Sequence, residues 1–485
     1  MIYLDILLFT GILALILILV RGISRSVSDP FLSRKLIHIA VGSLVSLSLY
    51  FFTHWIFLMA LALIFMASNL KDILSGRIEA MSARNRNWGT LFFPISFLFL
   101  LAWWGYDHRE LILTAMLILT FSDSLAGLAG YYRGGQAFRL FHEMKTGLGC
   151  LVFGVTSLLL IWFSLCYWYA IPILLGWWGA LMIALVLTVI ESFSVVGIDN
   201  LTLPVMSAFL LHWFILDPIA HGRLLFLGIA LAGLIVGMAV RWGWLDYSGA
   251  TAAFLIGSLI IAFGGLAWLL PMMVFFVSGS WLSHYRKDVK NQLLDHESGY
   301  RRNGIQVLAN GGLAIVLAIA FGYSSSPVWV IAYVAMMSAM NSDTWASEIG
   351  MLSSQSPYLI TRFRNLQAGV SGAVSHLGLV AGFAGSLVAA LSLYGFGLHW
   401  RFSTILVIAY IGWMAHLLDS LLGALCQARF QCSRCGKITE SNVHCQSPAR
   451  LVYGKSFITN DMVNLISAGT ACIAGAWMSH SGCFL

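Results

Sequence analysis

Stretches of about 20 apolar residues, the length that carries an α-helix across a bilayer, recur along the whole 485-residue chain. Sixteen can be marked, near residues 4–20, 36–53, 55–69, 90–105, 111–130, 147–165, 168–190, 201–216, 224–240, 249–263, 266–282, 305–322, 327–340, 374–395, 404–425 and 463–481. The chain is 59% hydrophobic and 10% charged, where soluble domains carry about 25% charged residues. These features predict an all-α polytopic membrane protein.

The first span contains Asp5, has no Lys or Arg before it, and is followed by Arg21 and Arg25. With no small-residue cleavage pattern it is unlike a removable signal peptide, and it is expected to stay with its N-terminus outside. Strict alternation of sixteen spans then puts the C-terminus outside as well. Of the 27 Lys and Arg residues, only Arg109, Arg223 and Arg401 fall in outer loops, which is the bias that orients membrane proteins. The expectation is a multi-pass protein of the cell inner membrane with its polar loops in the cytoplasm. The net charge of +7 is then mainly an orientation signal, with some attraction for anionic lipid or phosphate and no indication of nucleic-acid binding.

The outer loops are short, so the unusual polar residues gather on one membrane face. Two halves echo one another in order and divide the chain into residues 1–222 and 223–485. SRKLIHIAVG (33–42), FSDSLAGLAG (121–130), KTGLGCLVFG (145–154) and ESFSVVGIDNLTLP (191–204) are followed by YRRNGIQVLANGG (300–312), NSDTWASEIG (341–350), GVSGAVSHLGLVAG (369–382) and FITNDMVNLISA (457–468). The spacings differ, as in a diverged tandem pair. Internal repeats occur in transporters as well as enzymes. Transporters place polar residues near mid-span, whereas here they lie at inner ends.

Asp123 and Asp343 occupy matching places at span ends, flanked by small residues that admit close neighbours. An ionisable group at that depth is a functional-site hypothesis; a helix cap or a pair with a loop Arg is the plainer alternative. Asp199 and Asn200, matched by Asn460, Asp461 and Asn464, offer carboxylate and amide oxygens. Such ligands suit Mg²⁺, which takes its remaining ligands from water and phosphates; Asx caps are the alternative. Lys35, His38, Lys145 and Thr146 in the first half, and Arg301, Arg302, Gln306 and Asn310 in the second, are candidates for holding phosphate, or else simple orientation signals. His38 shares a helical face with Lys35. Glu191 and Glu348 are candidates to ligate metal or to orient a basic clamp. The many small-x-x-x-small pairs, including Gly378 with Gly382, read as helix packing. There is no phosphate-binding G-x-x-x-x-G-K-[ST] loop and no dinucleotide fingerprint.

Among eight cysteines, three fall in CSRCGKITESNVHC, where Cys432, Cys435 and Cys445 stand with His444. In a cytoplasmic loop this reads as a small zinc knuckle or as unliganded thiols, in preference to a disulfide.

Over about residues 30–215 the four first-half motifs resemble the family of phytol kinase and dolichol kinase, relatives of phosphatidate cytidylyltransferases. That family usually has Gly before the Asp of the second motif and Gly-Arg soon after; here Ser122 precedes Asp123 and YYRGG, with Arg133, follows. From about residue 230 to 480 the chain is similar to the family whose plant member is phytyl-phosphate kinase, through GATAAFLIGSLIIAFGG, GIQVLANGG, SDTWASEIG, LLDSLLGA, CGKITESNVHC and NDMVNLISA. The paired resemblance implies a fusion that converts a free isoprenoid alcohol, such as phytol or geranylgeraniol, to its monophosphate and then its diphosphate. It also implies CTP or another nucleoside triphosphate as donor, with Mg²⁺. On that reading Asp123, Asp199 and Asn200 hold metal and nucleotide in the first half, Lys35 and Lys145 clamp phosphate, and His38 orients or deprotonates the alcohol. In the second half Asp343, Glu348, Asp461, Asn464 and Asp419 take the metal-site role, with Gln306, Asn310 and Arg302 near the phosphates. A lipid-phosphate cytidylyltransferase and an isoprenoid or lipid transporter are the alternatives.

Overall fold

The computed structural model describes residues 2–74, 88–134, 137–140, 143–193, 197–286, 289–290, 301–359, 372–397, 400–436, 438–440, 442–445 and 447–480. Each of the sixteen expected spans falls on a helix, and the protein is an all-α polytopic membrane protein. Among the described residues thirteen helices are long and apolar enough to cross a bilayer, and Ile56–Lys71 and Gly89–Trp104 are shorter apolar helices. Of the loop cations that set the expected orientation, Arg77, Arg84, Arg86, Lys287, Arg362, Arg364 and Lys437 lie outside the described residues, as does residue 481 of the last expected span. Contacts divide the chain into two compact units, Met1–Arg223 and Leu224–Leu485.

The first unit contains α1 (Ile2–Ser26), α2 (Pro30–Ser48), α3 (Ile56–Leu74), α4 (Gly89–Trp104), α5 (Arg109–Leu117), α6 (Ser124–Arg133), α7 (Gly147–Tyr167), α8 (Ile173–Ser192) and α9 (Asp199–Leu216). Asp29 starts α2 by accepting the Phe31 N–H at 2.8 Å, with Pro30 at the first position, where its missing N–H costs nothing. Asp5, fully buried in α1, accepts Thr53 N at 3.0 Å and Thr53 Oγ1 at 2.6 Å, and its other contact is His54 Nδ1 at 2.6 Å. A carboxylate in a span is thereby fully partnered, as burial in an apolar medium requires. On α7, Leu151, Val155, Leu159, Phe163 and Tyr167 are exposed at four-residue spacing, an apolar stripe facing outward as lipid contact demands. Between α5 and α6 the turn Ile118–Asp123 is π-helical, a wider coil that often marks functional positions. A hairpin of β1 (Ala137–Leu140) and β2 (Glu143–Thr146) leads into α7, which Thr146 caps by accepting Gly149 N–H at 3.1 Å.

From the end of the first unit α10 (Ala220–Arg241) runs into the second, which continues with α11 (Tyr247–Gly264), α12 (Leu269–His284), α13 (Gly304–Ser324), α14 (Pro327–Gly350), α15 (His376–Ala390), α16 (Phe402–Leu425) and α17 (Asn460–His480). Every residue of α14 from Val330 to Ser342 is buried, as expected of a helix enclosed on all sides. Its neighbours approach through glycines. A Cβ on Gly385 of α15 would lie 2.6 Å from Trp345 Cγ, one on Gly412 of α16 would lie 2.7 Å from Ser338 Cβ, and one on Gly475 of α17 would lie 3.0 Å from Ala335 Cβ. The expected packing role of Gly378 and Gly382 has the same geometry, since both face Ala346. Small residues let backbones close to this distance where no hydrophobic force drives helices together.

The sequence offered no strands. The second unit nevertheless contains a short pair, β3 (Tyr358–Leu359) with β4 (Ala373–Val374). Between α16 and α17 it also forms a four-stranded sheet of β5 (Arg429–Cys432), β6 (Ile438–Thr439), β7 (Val443–His444) and β8 (Ser447–Tyr453), in the order β6-β5-β8-β7. These strands are two to seven residues long, too short for a periodicity argument to detect.

Candidate active site

In the first unit α2 presents Lys35 to the π turn. Its ammonium lies 2.7 Å from Asp123 Oδ2 and 3.4 Å from the Asp123 carbonyl, with both side chains mostly buried. Gly127 makes this reach possible, because a Cβ there would lie 2.7 Å from Lys35 Cε. A second pair, Lys145 Nζ to Glu191 Oε1 at 2.6 Å, joins β2, just before α7, to the end of α8. Asp123 is within electrostatic reach of His38 and Lys145, and Glu191 within reach of Asp123 and Asp199. The His38 ring meets the Leu119 carbonyl and the edge of Phe93 at 5.5 Å, and its buried Nε2 has no hydrogen-bond partner. Lys35, His38, Asp123, Lys145, Glu191 and Asp199 thus form one polar cluster inside a helical unit. Asn200 is turned elsewhere, its amide donating to the Gly89 carbonyl at 2.8 Å. Thr146 is a helix cap, and Arg133 is exposed at the end of α6.

The second unit repeats both kinds of pair on different elements. Asp343 Oδ1 lies 3.1 Å from His416 Nδ1 on α16. Asp419, one turn along α16, is within electrostatic reach of Asp343 and bonded to Ser467, and its Oδ2 is buried without a hydrogen-bond partner. On the other side of α14, Glu348 takes Lys290 Nζ at 2.5 Å and Ser283 Oγ at 2.7 Å, while Lys290 also donates to the Leu282 carbonyl at 2.7 Å. Asn341 is fixed by Ser278 Oγ at 2.9 Å and by the Gly385 carbonyl at 2.7 Å.

Arg302 is positioned by backbone: its N–H donates to the Trp244 carbonyl at 3.0 Å and its carbonyl accepts Asp246 N–H at 3.2 Å. The guanidinium lies 4.9 Å over the Phe275 ring and feels Glu348. A Cβ on Gly279 would be 2.6 Å from its Nη2 and 3.1 Å from Thr344, so it sits beside the residue that follows Asp343. Arg302 and Asn310 are the polar members of an apolar cavity whose wall includes Met272, Phe275, Phe276 and Met337. Asn310 Oδ1 accepts from Asn464 Nδ2 at 3.4 Å, tying α13 to α17. Gln306 closes a capping box with Asn303, at 3.0 and 3.1 Å, on an exposed face. Asp461 starts α17 and interacts with Glu440.

Cys432, Cys435, His444 and Cys445 converge, with donor atoms all within 4.8 Å of one another. The Cys435 backbone N–H and then His444 hold the Cys432 thiol down at about 6. Among the described residues this is the one group of three or more His, Cys, Asp or Glu side chains gathered closely enough to hold a metal ion. Of the carboxylates expected to bind Mg²⁺, Asp123 and Asp199 share His38 and Glu191 as electrostatic neighbours and Asp343 lies within reach of Asp419, whereas Asp461 stands in the first turn of α17 beside Glu440 and Glu348 is engaged by Lys290. One or two carboxylates per site suffice for Mg²⁺, which fills its shell with water and phosphate, and the unpartnered Asp419 oxygen suits such a cation.

Sequence reasoning missed two residues. His416 stands three positions before Asp419 in HLLD, a spacing that shares a helix face, and that signal was present. Lys290 meets Glu348 across 58 positions, and no local pattern announces it.

The family model described as "Integral membrane protein DUF92" matches residues 230–472. Protein PGR of Arabidopsis thaliana is 29% identical over 270 residues, which cover 50% of this chain and 92% of that protein. A phytol kinase of Synechocystis sp. is 29% identical over 198 residues, covering 39% of this chain and 81% of the relative. Protein VTE6, chloroplastic, of Arabidopsis thaliana is 28% identical over 162 residues, covering 32% of this chain and 49% of the relative. No solved structure matches the chain.

Proposed function

This chain belongs to the DUF92 family of integral membrane proteins, and from that premise we propose that it is a bifunctional kinase. It phosphorylates an isoprenoid alcohol in the first unit and the resulting prenyl monophosphate in the second. The similarity to a phytol kinase supports the reaction class. The observation that carries the reading is the apolar cavity with Arg302 and Asn310 in its wall, beside the helix that bears Asp343 and Glu348. An isoprenoid tail fits apolar walls, and a guanidinium presents paired donors to a phosphate.

In the first transfer, His38 Nε2 accepts the hydroxyl proton. The alcohol oxygen bonds to the γ-phosphorus of CTP, and the bond from that phosphorus to the β-γ bridging oxygen breaks, releasing CDP. Lys35 and Lys145 neutralise phosphate charge, and their carboxylate partners Asp123 and Glu191 hold them in place. In the second transfer the acceptor is an anionic phosphate oxygen, so no base is required. Arg302 supplies positive charge there, and Asn310 orients the phosphate. Positioning and charge neutralisation are the main demands of phosphoryl transfer. Asp123 with Asp199, and Asp343 with Asp419, would hold Mg²⁺, which when bound offsets charge on the nucleotide phosphates.

Both sites lie on the cytoplasmic face of the cell inner membrane, where the nucleotide is available. The test is to supply membranes containing the chain with labelled phytol or geranylgeraniol, CTP and Mg²⁺. The expected products are prenyl monophosphate and diphosphate with stoichiometric CDP. Pyrophosphate release would instead identify a lipid-phosphate cytidylyltransferase, and unmodified alcohol would overturn the reading.

A further inference from the structure

The segment joining α16 to α17 is a small four-stranded sheet whose turns bring Cys432, Cys435, His444 and Cys445 together. Cys432 ends β5, and the chain turns through Ser433, Arg434 and Cys435 to Gly436, whose φ of +72° suits a residue without Cβ. Gly436 N–H donates to the Cys432 carbonyl at 2.9 Å and Arg434 N–H to Cys432 Sγ at 3.4 Å. Backbone donors aimed at sulfur stabilise a thiolate, the form in which cysteine binds metal. His444 ends β7, and its Nδ1 lies 3.4 Å from Cys435 Sγ and 3.3 Å from Cys445 Sγ. A tetrahedral zinc with Zn–S of about 2.3 Å and Zn–N of about 2.0–2.1 Å sets S and N roughly 3.6 Å apart. Those distances therefore fit two edges of such a tetrahedron closely. Cys445 adopts φ +52°, rare for a residue with a side chain, and this bend returns its thiol toward His444.

We propose that Cys432, Cys435, His444 and Cys445 bind one structural Zn²⁺ in a closed Cys₃His site. Three thiolates and one imidazole fill four-coordinate zinc, leaving no position for substrate. The metal's role is to fix the register between two helices. Ala428 N–H donates to the Ile458 carbonyl at 2.9 Å and Lys455 N–H to the Cys426 carbonyl at 3.2 Å. Tyr453 Oη donates to the Ala424 carbonyl at 3.1 Å. The sheet is thus bonded to the end of α16, which carries His416 and Asp419, and a six-residue turn leads from it into α17, which carries Asn464.

The test needs no enzymatic activity, so it stands apart from the kinase reading. The full chain, purified in detergent from zinc-supplied cells, should contain about one Zn²⁺. The Cys435→Ser/Cys445→Ser variant should lose it, and Cys150→Ser/Cys472→Ser should keep it. His444→Cys should also keep it, because four donors remain, and this variant stays informative if the serine double variant fails to fold. Cobalt exchanged into the site should give the intense visible absorption of tetrahedral thiolate coordination. Protein lacking stoichiometric zinc, retention of zinc by the double serine variant, or a native disulfide among the three cysteines would each overturn the proposal.

Discussion

At the level of single residues, the charges inside the helical units are buried and held in pairs. Lys290 is 1% exposed at its side chain and its partner Glu348 19%. Removing one member of such a pair strands the other, at a cost of about 3–5 kcal/mol. Lys290→Met is therefore expected to lower the melting temperature in detergent clearly, with partial recovery in Lys290→Met/Glu348→Gln. A single variant that melts with the parent would show the pair to be incidental. His38 has a different task. His38→Ala should lower the first transfer by roughly 10²–10⁴-fold, the usual contribution of a positioned base, and leave phosphorylation of supplied prenyl phosphate intact. The carboxylates Asp123, Asp343 and Glu348 were legible because charge in an apolar stretch needs a reason. Their partners were less so: Lys35 lies 88 positions from Asp123 and His416 lies 73 from Asp343, and a single sequence carries no record of such pairings.

At the scale of the element, α14 is held by close backbone contact. Gly385→Leu would drive side-chain atoms into Trp345 and the Asn341 carbonyl, which a Cβ alone would meet at 3.0 Å. Overpacking of this kind costs about 1–3 kcal/mol. The expected result is a less stable protein with a weakened second transfer. Gly469→Ala, where a Cβ meets nothing within 4 Å, should behave as the parent. The helices themselves were readable from apolar length alone. The π turn ending at Asp123 and the four-stranded sheet between α16 and α17 were not. A local change of helical hydrogen bonding leaves no hydrophobic signature, and a sheet of very short strands is specified by its turns and by the Cys/His cluster instead of by periodicity.

At the scale of the whole molecule, each of two compact units encloses an acid paired with a base or cation, and a buried Lys–Glu pair. Lys35–Asp123 and Lys145–Glu191 stand in the first, and His416–Asp343 and Lys290–Glu348 in the second. On the proposed function each unit performs one phosphoryl transfer. The most direct measurement compares Asp123→Ala and Asp343→Ala chains in membranes, each supplied with CTP and either labelled prenol or labelled prenyl phosphate. Asp123→Ala should make no monophosphate from prenol yet still convert prenyl phosphate to diphosphate, while Asp343→Ala should accumulate monophosphate. Loss of both transfers in either variant, with the protein still folded and inserted, would contradict that reading.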